Sequence, residues 1–306
     1  MSNKQILSRP VYLDHFGLNT SPFRLTPAID CFYSGADRAA MLTGMTYALM
    51  HSDGIIAVTG EVGSGKTTLS RVLMSRASKL LQFVYISNPA ISRDELQLAV
   101  AHELHLSDVQ KGPSLLGRIQ RELIALHATG RQVVLLVDEA HEMPCATLQE
   151  IRLLTNLETS ASKLLQVVLI GQPELVEALA TPALRPLRER ITHHFRVESL
   201  NAAQSQRYLS FRVQNAGGQS DLFSPRAARK ITRASHGLAR RMNILAEKSL
   251  LAAYCEQADQ VSLRHVRMAL DDSAWQLNRP GAWRQWVRAL GRLIAFRGMP
   301  RVNTSH

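Results

Sequence analysis

Along the first two hundred residues, short apolar runs alternate with longer stretches whose apolar residues recur every three to four positions. The runs IIAVT (55–59), LQFVYIS (81–87), VVLLVD (133–138) and LQVVLIG (165–171) are short and almost continuously apolar. That pattern predicts strands, and VVLLVD in particular a strand covered on both faces. HHFRVE (193–198) predicts a last short strand. Between the runs, a periodicity near 3.6 predicts helices over about 37–50, 66–79, 93–105, 114–129 and 146–157. Strand–helix alternation of this kind predicts an α/β fold with a parallel sheet and helices on both faces.

Beyond residue 200 the strand pattern stops. Segments 202–215, 225–234, 238–254 and 262–270 carry helical spacing, and NAGGQSD (215–221) separates the first two. This predicts a small all-helical domain. At the other end, NTSPFRLTPAIDCFYSG holds Pro22, Pro27 and Gly35 among isolated aromatics, predicting an irregular arm packed by Phe16, Phe23 and Phe32. From Ser273 onwards the chain contains arginines 279, 284, 288, 292, 297 and 301 and no acidic residue. The organisation expected is an arm (1–36), an α/β domain (37–199), a helical domain (200–272) and a basic tail (273–306).

Composition narrows the class. With 45% hydrophobic and 20% charged residues over 306 positions, the chain has the make-up of a folded globular protein. Lysine and arginine (36) exceed aspartate and glutamate (25), for a formal charge of +11. The surplus favours anionic partners: nucleic acid, acidic lipid or an acidic protein face. Cys31, Cys145 and Cys255 lie far apart without metal-ligand spacing; they read as small buried apolar side chains in a reducing compartment. The start, MSNKQILSRPVYLDHFG, has no apolar leader core, and no run of about 18 uncharged apolar residues occurs. A cytoplasmic chain without a membrane span is expected.

Chemistry concentrates after the first strand. Gly60-Glu61-Val62-Gly63-Ser64-Gly65-Lys66-Thr67, followed by Thr68, fits G-x-x-x-x-G-K-[ST] without a gap. Glycines let the loop turn its amides towards phosphate oxygens, and the helix starting near Lys66 adds its positive end. In this pattern Lys66 reaches the β- and γ-phosphates and the Thr67 hydroxyl binds Mg²⁺. VVLLVDEAH supplies the second half. Asp138 completes the Mg²⁺ site, through water, and Glu139 beside it orients and activates the attacking water.

With these residues in view, the chain resembles the AAA+ superfamily. LIGQPEL places Gln172 where those proteins carry a polar γ-phosphate sensor. LRPLRERI (184–191) resembles the segment that lends an arginine finger to a neighbouring subunit, with Arg190 the first choice, Arg188 the second and Arg185 nearby. HGLARRMNIL (236–245) fits the lid pattern G-x-x-R-x-x-N-x-L and makes Arg240 the second sensor.

A narrower resemblance covers about residues 11–272. YLDHFGLNTSPFRLTP, GEVGSGKTTLSR, VDEAHEM…LQEIRLLTNLET, LIGQPEL and SFRVQNAGG…LFSPRAARKITRASHGLARRMNILAEKSLLAAY look like the bacterial ATPases of the ExeA (GspA) and MshM kind. One departure is Ala239, where that family usually has proline. The resemblance implies a homo-oligomeric, ATP- and Mg²⁺-dependent assembly motor of the short MshM-like form, serving type II secretion or pilus biogenesis. WRQWVRALGRLIAFRG (283–298) separates an apolar from a basic helical face, the pattern of a segment for the anionic inner-membrane surface. The alternative reading is a DNA-binding regulator of a transposition-type module.

Overall fold

The computed structural model describes residues 10–26, 29–77, 81–106, 114–158 and 163–273. The amphipathic stretch 283–298 and the arginines beyond Ser273 lie outside the described residues. Two units are present, one formed by residues 27–199 and the other by 1–26 with 200–306.

The first unit is α/β. Its strands are β1 (Ile55–Gly60), β2 (Leu81–Ile86), β3 (Gln132–Val137), β4 (Leu165–Gly171) and β5 (Ile191–Val197). They form one parallel sheet in the order β2-β3-β4-β1-β5. Helices α1 (Arg38–His51), α2 (Lys66–Ala77), α3 (Arg93–Glu103), α4 (Ser114–Ala128) and α5 (Cys145–Leu154) fall at the expected places. Two short helices, α6 (Glu174–Ala180) and α7 (Arg185–Arg188), lie in a region without a sequence prediction. They hold too few turns to show a periodicity.

Strand side chains alternate between two cores, as the pleat requires. Val133, Leu135 and Val137 join the core that holds Leu96 and Val100 of α3, Ile119 of α4 and Ile151 of α5. Val134 and Leu136 join the opposite core, with Met45 and Leu49 of α1 and Val72 and Leu73 of α2. Both faces are covered, which is why these runs are apolar at every position.

The second unit contains α8 (Ala202–Asn215), α9 (Pro225–Ser235), α10 (Ala239–Cys255) and α11 (Leu263–Asp271). Asn201 and Gln204 close a reciprocal capping box that starts α8. The N-terminal arm divides. Residues 10–26 pack within this helical unit, whereas 29–36 belong to the α/β unit. Phe23 is fully buried and meets the Phe223 ring edge-on at 5.8 Å. The Tyr12 hydroxyl donates to Glu247 at 2.5 Å, and Ser21 donates to the other carboxylate oxygen at 3.2 Å. Arg212 donates to the Pro22 carbonyl at 2.6 Å. Burial pushes the Glu247 carboxyl above its ordinary range, while the Tyr12 and Ser21 hydrogen bonds pull it back. Burial first, and then the Glu247 charge, push the Tyr12 phenol upwards.

The three cysteines are free, as expected, but none is buried: Cys145 is exposed at the start of α5, and Cys31 and Cys255 are half-buried. Among the described residues no helix is long and apolar enough to cross a membrane.

The Tyr12–Glu247 bond fastens the arm to α10 across 235 positions. Tyr12→Phe is expected to destabilise the helical unit by about 1–3 kcal/mol, the cost of leaving a half-buried carboxyl oxygen without its donor. The urea midpoint of the full chain reports it; a midpoint equal to wild type contradicts the role.

Candidate active site

β1 ends at Gly60, and the chain turns through Glu61–Gly65 into α2. Gly63 and Gly65 take φ values of 79° and 105°, a region a β-carbon disfavours. Such a turn lets successive amides face one anion, and α2 begins at Lys66 with its positive end at the same point. Lys66 is buried and donates to the carbonyls of Gly60 at 2.8 Å and Glu61 at 3.2 Å. Burial lowers its pKa, and the charges of Glu139, Asp138, Glu61 and Glu174 push it back up. The ammonium thus lies within electrostatic reach of acids from two other strand ends.

A residue absent from the sequence expectations braces this loop. Arg38, buried at the start of α1, donates to the Ser64 carbonyl at 2.9 Å. At the other rim, the Thr59 hydroxyl and His194 Nε2 of β5 are 2.7 Å apart.

β3 delivers the carboxylates. The Asp138 amide donates to the Ile86 carbonyl at 3.0 Å, extending the β2–β3 ladder by one residue. Its buried side chain accepts from the Glu139 amide at 3.0 Å and from the Tyr85 hydroxyl at 3.2 Å. Burial first, then the Asp138 charge and hydrogen bond, push the Tyr85 phenol up to about 12; it therefore remains a donor at neutral pH. Glu139 has φ 51° and ψ 37°, a left-handed conformation costing roughly 1–2 kcal/mol in a residue with a β-carbon. A short 3-10 turn, Ala140–Glu142, follows directly.

Register levels these features. Thr59 of β1 is opposite Gly171 of β4, and Val137 of β3 is opposite Leu169. Two residues beyond Val137, Glu139 therefore comes up to the level at which β1 and β4 end, and β1 and β3 are about 10 Å apart across β4. Gln172 follows β4 between them. Mg²⁺ favours hard oxygen ligands and keeps much of its water. The Thr67 hydroxyl and the buried Asp138 carboxylate form a donor set of that kind. Among the described residues no group of three or more His, Cys, Asp or Glu is placed to hold a metal unaided. The donor set fits a metal shared with a nucleotide's phosphates.

The arginines divide. The Arg190 carbonyl accepts from the Ile55 amide at the start of β1, roughly 17–20 Å of strand from Gly60. Its guanidinium donates to Thr155 Oγ1 at 2.6 Å and to the Arg152 carbonyl at 3.3 Å. Arg190, the first choice for the finger, is thus engaged in holding the end of α5. Arg188 and Arg185 have side chains 46% and 73% exposed and pair, among the described residues, with Glu189 at 3.8 and 3.9 Å. In the helical unit, Gly237 and Asn243 of the lid pattern have structural uses. A β-carbon on Gly237 would meet the Leu200 carbonyl at 2.0 Å, and Asn243 accepts from Tyr208 at 2.9 Å. Arg240 is exposed at the start of α10.

Residues 49–179 match the family described as AAA domain. The chain is 36% identical over 275 residues to General secretion pathway protein A of Aeromonas hydrophila, an alignment covering 87% of this chain and 50% of that protein. The chain therefore spans about half the length of this relative. Among solved structures, the Aeropyrum pernix ORC2 protein in ADPNP–ADP complexes aligns with a TM-score of 0.63 at 15% identity, covering 92% of this chain and 80% of that one. The Thermotoga maritima RuvB Holliday junction branch migration motor aligns with a TM-score of 0.55 at 16% identity, covering 90% and 81%. At these identities the solved structures show the shared fold, that of P-loop AAA+ ATPases.

Removing the Arg38 brace leaves the Ser64 carbonyl unpaired and the loop less preorganised. Arg38→Ala is expected to weaken nucleotide binding by about tenfold, the equivalent of one charged hydrogen bond. Titration with a fluorescent ATP analogue measures it; an unchanged Kd removes the bracing role.

Proposed function

We propose, from the premise that this chain is an AAA+ ATPase similar to the ExeA (GspA) proteins, that it hydrolyses ATP as an oligomeric assembly motor. The observation that supports this reading most is the register of β1, β3 and β4, which gathers Lys66, Asp138, Glu139 and Gln172 at one edge of the sheet.

The proposed mechanism assigns each residue one task. Amides of Gly60–Thr68 bind the phosphates, and Lys66 exchanges its loop carbonyls for phosphate oxygens. Thr67 and Asp138 would hold Mg²⁺, which would supply positive charge against the phosphates. Tyr85 orients the Asp138 carboxylate by donating to it. Glu139 accepts a hydrogen bond from the attacking water and positions it in line with the γ-phosphorus. Gln172 contacts the γ-phosphate or that water. Arg240 acts as the lid's second sensor, the lid-pattern member without a structural use in its own unit.

The finger is reassigned to Arg188. Its guanidinium is more available than that of Arg190, because a surface pair to Glu189 at 3.8 Å is worth little. Supplied to a neighbouring subunit, it makes turnover depend on assembly. The cellular role proposed is support of a secretion apparatus of the type II kind, for which the name of the relative, General secretion pathway protein A, is the support, or of MSHA-like pilus assembly, for which the resemblance of the sequence motifs is the support. Peripheral attachment to the inner membrane through 283–298 is part of the same proposal, supported by the sequence pattern alone.

Glu139→Gln is expected to bind ATP with wild-type affinity and lose hydrolysis by about 100-fold or more, and Lys66→Ala to lose binding. Arg188→Ala should keep ATP affinity and lose turnover; mixing it with Glu139→Gln should restore part of the activity at shared interfaces. Phosphate release, followed against protein concentration, reads all three. Full turnover by Glu139→Gln would overturn the assigned base. For the tail, deletion of 273–306 should lower co-sedimentation with anionic liposomes; unchanged binding would remove the membrane assignment.

A further inference from the structure

We propose that His141 is a positioning residue that joins Glu139 to the end of β4 at Gln172. This rests on the proposed role of Glu139 in hydrolysis. His141 sits in the 3-10 turn immediately after the two carboxylates, with its side chain 7% exposed. No motif assigns it a task.

Three contacts meet on this ring. Nδ1 lies 3.4 Å from the Gln172 backbone nitrogen, which donates to it. The same Nδ1 is 3.6 Å from Glu139 Oε2. Nε2 is 3.4 Å from Glu142 Oε1. An amide can donate only to a nitrogen with a free lone pair, so Nδ1 is the acceptor and Nε2 carries the hydrogen towards Glu142. In this tautomer Nδ1 has no hydrogen to offer Glu139.

That explains an otherwise odd feature of Glu139. Its side chain is 44% exposed, yet Oε2 is buried and has no hydrogen-bond partner among the described residues. The oxygen faces a second acceptor rather than a donor. It is held by shape and by its left-handed backbone, with its accepting capacity unspent. The ring therefore sets how close the carboxylate comes to the β4 end without neutralising it.

The backbone of the turn is constrained too. A β-carbon on Gly171 would lie 3.3 Å from the His141 amide nitrogen and 3.0 Å from Leu175. The turn thus packs against the strand that ends at the proposed sensor. A shift of the Gln172 backbone moves its hydrogen-bond acceptor, and the ring carries that shift to Glu139. Sensor and base are linked through one side chain three positions from Asp138.

Substitutions separate the roles of the two nitrogens. Asparagine places an acceptor near the Nδ1 position, glutamine near Nε2, and leucine neither. His141→Leu and His141→Gln are expected to lower kcat by about tenfold or more, with ATP affinity within about twofold of wild type, because misplacing a reacting group costs rate rather than binding. His141→Asn is expected to recover most of the loss. Steady-state hydrolysis, ATP titration and melting temperature are measured on the full chain, with Glu139→Gln alongside. Wild-type kcat in His141→Leu, or an asparagine variant no better than leucine at equal melting temperature, overturns the proposal. If Glu139→Gln is inactive while His141→Leu turns over normally, only the positioning role fails. If Glu139→Gln itself turns over normally, the assignment of the base fails and this proposal falls with it.

Discussion

The site depends on the register of three neighbouring parallel strands. In the order β3-β4-β1, the glycine loop leaves one outer strand and the carboxylates leave the other, with β4 between them. Pairing of Thr59 with Gly171 and of Val137 with Leu169 prevents either from sliding. Two inter-strand spacings separate the loop from the acids, about 10 Å. A triphosphate with its metal spans a gap of that order. A one-residue slip of β3 would turn Val134 and Leu136 out of their core, so packing energy on both faces fixes the register.

That constraint leaves the site charged but not self-neutralised. Lys66 bonds to the loop's own carbonyls, Asp138 is satisfied by Tyr85 and a neighbouring amide, and Glu139 keeps one buried oxygen unpartnered among the described residues. Each group is held in place by partners weaker than a salt bridge. Braces from outside the motifs do the holding: Arg38 on the loop, Tyr85 on Asp138, and His141 beside Glu139. Preorganisation of this kind is where an active site gains rate, because the donors need no rearrangement when charge develops.

Local features were legible in the sequence and long-range ones were not. VVLLVD and LQVVLIG could be read as buried strands because both faces of the sheet demand apolar residues. The glycine loop could be read because its spacing encodes its geometry. Arg38, 26 positions from the carbonyl it braces, carries no local signal. His141 lies inside a recognised segment, but its task is visible only once β4 brings Gln172 alongside. That residues 10–26 pack in the helical unit carries no local signal, because Tyr12 and Glu247 are 235 positions apart. Arg190 stood as the first finger candidate until its bond to Thr155 showed it engaged. Exposure of Cys145 follows from its place at the start of α5, which composition does not reveal.

The most direct test of the central claim is a structure of the full chain with Mg²⁺ and a non-hydrolysable ATP analogue, read at one atom, Lys66 Nζ. The account predicts that Nζ leaves the Gly60 and Glu61 carbonyls for the β- and γ-phosphates, with the metal between Thr67 and Asp138. A nucleotide bound elsewhere, or a Lys66 still tied to its loop with Asp138 remote from the metal, would contradict it.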